Sequence, residues 1–85
     1  MPAIASFYGI IIMMFLKDKE HNPPHIHAFY AEYKASFNIL TGEIMYDGEF
    51  PRTGKKLVKK FLLKYKNELI EMWNTGNYYS LPPIK

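Results

Sequence analysis

Apolar positions along the chain fall into two regimes. Up to residue 50 they come as short β-branched or aromatic runs broken by Gly, Pro and charged residues, which is the patterning of strands and turns. Beyond Pro51 they recur every three or four residues, at Leu57, Phe61, Leu62, Tyr65, Leu69, Met72 and Trp73, and form the stripe of one long amphipathic helix. That helix is expected to begin after Pro51 with Thr53 as its N-cap. It should stop near Thr75, because Gly76 enters the left-handed region without penalty.

In the first regime, Pro2 to Ser6 reads as an extended arm and Phe7 to Leu16 as the first strand. Ile10 to Phe15 offers no polar position, so both faces are expected to be covered, one by the helix and the other by a partner chain. A short buried helix would be equally apolar, but three adjacent isoleucines favour the strand. Lys17 to Pro24 follows as a polar loop, in which Pro23 and Pro24 exclude helix and central-strand pairing. His25 to Tyr30 makes a second strand, and Tyr33 to Leu40 a third across a tight turn at Ala31 and Glu32. After a reversal at Thr41 and Gly42, Glu43 to Tyr46 makes a fourth, ended by Asp47 and Gly48. Connections this short dictate hairpins. The expected fold is therefore α+β: a four-stranded antiparallel sheet packed against one long C-terminal helix, in a single domain over residues 1–85 with an extended tail from about residue 77. Tyr78, Tyr79, Leu81 and Ile84 make that tail too apolar to be a plain solvated end; docking on its own domain, contact with a partner and disorder all stay open.

Composition supports a folded domain, since 48% hydrophobic and 22% charged residues can build one core from 85 residues. The chain has no cysteine. This removes a disulfide framework and a thiolate nucleophile, leaves His, Asp, Glu and water as metal ligands, and fits a reducing, cytoplasmic compartment. Phe7 to Leu16 is not read as a targeting or membrane segment: no basic residue precedes it, Lys17 to Glu20 follow it, and it is shorter than the roughly 20 residues a span requires.

Charge adds an asymmetry that the net +3 hides. Arg52, Lys55, Lys56, Lys59, Lys60, Lys64 and Lys66 occur with no acidic residue among them. Lys56, Lys60 and Lys64 stand at helical i, i+4 spacing, where like charges repel. Three readings apply: a solvated face, a surface for nucleic acid or an acidic protein, and a membrane-surface contact. Nucleic-acid binding of this kind would neutralise phosphates with little base readout.

All three histidines fall in the heptapeptide HNPPHIH, as His21, His25 and His27. On a strand His25 and His27 share a face, and the two prolines could turn His21 back towards them. Three imidazoles could hold zinc or another divalent transition metal with an open water position, and Asp18, Glu20 or Glu32 could supply a carboxylate. Equally, the imidazoles could bond backbone carbonyls and stack on Phe29, Tyr30 or their neighbours, or the loop could bind a ligand or nucleic acid. No helical zinc-hydrolase motif accompanies them.

The segments PAIASFYGIIIMMF, HNPPHIHAFY and ILTGEI, with the long helix after them, resemble a family of small prokaryotic proteins, the domain of unknown function numbered four thousand one hundred and sixty. Phe7, Tyr8, Gly9, His21, Pro23, Pro24, His25 and His27 occupy its signature positions. The resemblance implies an intracellular, partner-bound protein, since some members look like partners encoded beside another small domain in the manner of toxin–antitoxin pairs. It supplies no catalytic residue. The chain departs from many relatives at Met13 and Met14, where a basic residue often accompanies the strand.

The expected function is a small noncatalytic binding component of a regulatory or toxin–antitoxin-like complex, with a protein partner or a second copy of itself, and with nucleic acid or an acidic protein on the lysine-rich helix. The alternative is a metal-dependent hydrolase or nuclease using the histidine cluster. A homo-oligomeric scaffold built through sheet edges and the tail is the third reading.

Overall fold

The computed structural model describes residues 3–15 and 23–84. Five strands and a helix follow in order: β1 (Ala3–Phe7), β2 (Ile10–Met13), β3 (His25–Tyr30), β4 (Tyr33–Asn38), β5 (Ile44–Gly48) and α1 (Arg52–Thr75). Each strand pairs antiparallel with its neighbour in sequence, in the order β1-β2-β3-β4-β5. The sheet thus has five strands, not the expected four. The stretch read as one strand from Phe7 contains a hairpin turn: Phe7 ends β1 together with the segment read as an arm, and Ile10–Met13 is the second half.

The physical reason lies at Tyr8 and Gly9, which both have positive φ, 50° and 78°. Two positive-φ residues between paired strands make a type I′ turn, whose twist matches that of the strands. Gly9 adopts this conformation freely, whereas Tyr8 bears a cost of about 1–2 kcal/mol for its Cβ. At the other two-residue connection, Ala31 takes positive φ at the first position.

One face of the sheet carries Ile4, Ile12, Ile26, Ala28 and Phe37, all fully buried. Val58, Phe61, Leu62, Leu69, Met72 and Trp73 of α1 join them in one core. Phe7 and Phe61 stack with centroids 5.1 Å apart. Full burial of each such side chain stabilises by about 1.5–3 kcal/mol, which makes this packing the main support of the fold. The opposite face differs from expectation: Ile10 and Ile12 are buried, but Ile11 between them is 43% exposed. Strand β2 therefore has one covered face, not two.

Helix α1 begins with Pro51 at its boundary and no side-chain cap, so Thr53 lies inside the first turn instead of capping it. The joint is held from β5, where Asp47 Oδ1 accepts the Phe50 N–H at 3.0 Å. Gly54 is required here, because a Cβ would sit 2.7 Å from the Phe50 ring. At Tyr65 the backbone leaves helical values (φ −114°, ψ 23°), and α1 bends. Gly76 ends it at φ 75°, donating its N–H to the Met72 carbonyl at 2.9 Å.

The tail packs on its own domain. Leu81 donates its N–H to the Ile4 carbonyl at 2.7 Å, Leu81 and Ile84 are buried, and the Tyr78 hydroxyl donates to the Phe15 carbonyl at 3.0 Å. Part of the open edge of β1 is thereby covered, which blunts it against pairing with another chain. Among the described residues no helix is long and apolar enough to cross a membrane.

Candidate functional site

The proline turn leads directly into β3, and both proline carbonyls are used. His25 Nδ1 donates to the Pro23 carbonyl at 2.8 Å, and the Ile39 N–H donates to the Pro24 carbonyl at 3.0 Å. The first bond places the proton of a neutral His25 ring on Nδ1. His25 is buried, 8% exposed, with its ring 5.3 Å from that of Trp73. His27 meets the edge of Phe15 at 4.5 Å, and the two imidazole centroids are 5.1 Å apart. Phe15 and Trp73, both outside β3, are thus among the rings that the histidines meet. The period of two correctly places His25 and His27 on one face. His21, Asp18 and Glu20 lie outside the described residues. Among those described, no group of three His, Cys, Asp or Glu is arranged to hold a metal ion.

His27 also reaches the open face of the sheet. With Lys34, Ser36 and Tyr46 it lines a shallow hollow of about 340 Å³. Lys34 Nζ stands 5.9 Å from the Tyr46 ring centroid, within cation–π range. An ammonium, an imidazole and two hydroxyls there can hydrogen-bond an anion.

On the helix, Arg52, Lys56, Lys59, Lys60, Lys64 and Lys66 are all exposed. Lys64 Nζ lies 5.4 Å from the Tyr65 ring centroid. Lys55 differs: it is half-buried and bonded to Asp47 Oδ2. That bond, followed by the Phe50 N–H, holds the Asp47 carboxyl below the usual carboxylate range. Lys55 therefore serves the β5–α1 joint.

Two exposed leucines escape a reading of the sequence by its apolar stripe alone. Leu63 is 82% exposed and Leu40 47% exposed. With Ile39, Leu62, Lys59 and Lys66 they line a groove of about 190 Å³ between α1 and residues 39–43. The signal for Leu63 was its place three residues after Lys60, among the lysines and off the buried stripe.

A family model described as "Domain of unknown function (DUF4160)" matches residues 9–74. No curated protein and no solved structure gives a match.

Proposed function

This chain belongs to that family, and we propose for it a noncatalytic role as a small binding component of a regulatory or toxin–antitoxin-like complex, with the lysine-rich helix as its contact surface. The observation that carries the reading is the outward display of Arg52, Lys56, Lys59, Lys60, Lys64 and Lys66 on one helix, uninterrupted by an acidic residue. Like charges at i, i+4 cost a few tenths of a kcal/mol per pair, and an anionic partner removes that cost on binding. Each phosphate or carboxylate contact would make association weaker as salt rises.

The test is a binding titration against mixed RNA, mixed DNA and an acidic protein at several salt concentrations, with mass from gel filtration. Salt-sensitive association that weakens in the Lys56→Glu, Lys60→Glu double variant is expected. A monomer with no salt-dependent association would remove the proposal.

One observation favours a second reading, a metal-dependent hydrolase centred on His21, His25 and His27. Imidazole centroids 5.1 Å apart are close enough for one tetrahedral ion to bridge two rings. Elemental analysis of untagged protein, beside His25→Ala, decides it: about one zinc-class ion per chain, lost in the variant, supports it, and no specific ion after reloading excludes it.

A further inference from the structure

We infer that the groove between α1 and residues 39–43 receives an amphipathic helix of a partner protein, with acidic side chains two turns apart and apolar ones between them. This rests on the reading of the lysine-rich helix as a binding surface and names its partner class.

The groove has the layout of a helix-binding site. Ile39 and Leu62 form a floor that is 2% exposed, and Leu40 and Leu63 rise from it into solvent. Lys59 and Lys66 line the groove on either side of Leu63, seven residues and roughly two helical turns apart, with the bend at Tyr65 between them. Acidic residues at i and i+7 of a docked helix have the same separation, and residues at i+3 and i+4 between them would cover Leu63.

The opposite wall explains why a protein suits this groove better than nucleic acid. Asn38 Oδ1 accepts the N–H groups of Leu40 and Thr41 at 2.7 and 3.1 Å, and the Asn38 carbonyl accepts that of Gly42 at 2.8 Å. Thr41 Oγ1 accepts the N–H of Glu43 at 3.1 Å. These backbone donors are therefore committed within the turn and do not form a phosphate nest. The wall is also held in shape before binding, which lowers the ordering cost. Glu43 adds a carboxylate that would repel phosphate and requires a neutral or basic flank on that side of the partner helix.

The experiment is an amide NMR titration of the full chain with a capped 14-residue helical peptide carrying Glu at i and i+7 and Leu at i+3 and i+4. A scrambled peptide of the same composition and a 20-nucleotide mixed RNA serve as comparisons. Shifts at residues 39–43 and 59–66 are expected, with affinity at least tenfold lower for the scrambled peptide and for Leu63→Ser, whose exposed position leaves the fold intact. Equal affinity for the scrambled peptide, or for Leu63→Ser, overturns the groove. If RNA shifts Lys56, Lys60 and Lys64 while the peptide leaves 39–43 unmoved, the groove falls and the lysine face stands as a nucleic-acid surface. No shift with any of the three at low salt removes both readings.

Discussion

From Arg52 to Lys64 the helix sends its cations, Lys55 excepted, into solvent and lays Val58, Phe61 and Leu62 on the sheet. From Lys66 to Thr75, past the bend at Tyr65, its charges turn acidic at Glu68 and Glu71, and its buried side ends in Trp73 against His25. One continuous element thus displays charge along its first half and closes the histidine end of the domain with its second.

The sharpest way to break this comparison is to empty the closing half. Trp73→Ala should cost about 3–5 kcal/mol in urea unfolding, by removal of a buried aromatic and the cavity left behind. Any polyanion binding should survive wherever the variant remains folded; its disappearance from folded protein would mean the halves are not separable. Next in size comes Gly54→Ala in the displaying half. The new Cβ meets the Phe50 ring, and overpacking should cost about 1–3 kcal/mol by the same measurement.

Asp47→Asn should have a smaller effect, confined to pH. The folded carboxyl is held low by Lys55 and the Phe50 N–H, so its stabilisation is present above the unfolded value and lost as pH falls through the lowered one. Stability of the parent measured downward from about pH 4 should fall more steeply than that of the variant. Smallest in stability, and largest in recognition, is Lys56→Glu with Lys60→Glu. Unfolding should move by no more than about 0.5 kcal/mol. The salt slope of nucleic-acid binding should flatten by about 0.7–0.9 for each phosphate that the variant no longer neutralises.

Much of this arrangement was legible from residue pattern. The helix stripe, its stop at Gly76 and the shared face of His25 and His27 follow from periods of 3.6 and 2 and from glycine stereochemistry. The first hairpin was not, because its turn consists of Tyr8 and Gly9 within an apolar run and leaves no polar gap between strands. The roles of Trp73 and Lys55 were hidden for another reason. Each is defined by a partner on a different element, His25 on β3 and Asp47 on β5, and local periodicity carries no information about such pairings. For the histidine cluster, the carbonyl-bonding role holds for His25, and the stacking partners are set by which rings the tertiary fold brings near.

The neighbour-to-neighbour order of the strands also bears on how the chain reaches this state. Every strand pairing joins segments adjacent in sequence, so the sheet is built from local pairings, and refolding on the order of milliseconds is expected for a mixed domain of this kind. The clasp of Leu81 on Ile4 is different, since it joins opposite ends of the described chain and can reward the search only after the sheet exists. It should therefore be absent from the rate-limiting barrier. In stopped-flow chevrons, Leu81→Ala should speed unfolding while leaving the refolding rate unchanged, which would make the tail a latch on the lifetime of the native state.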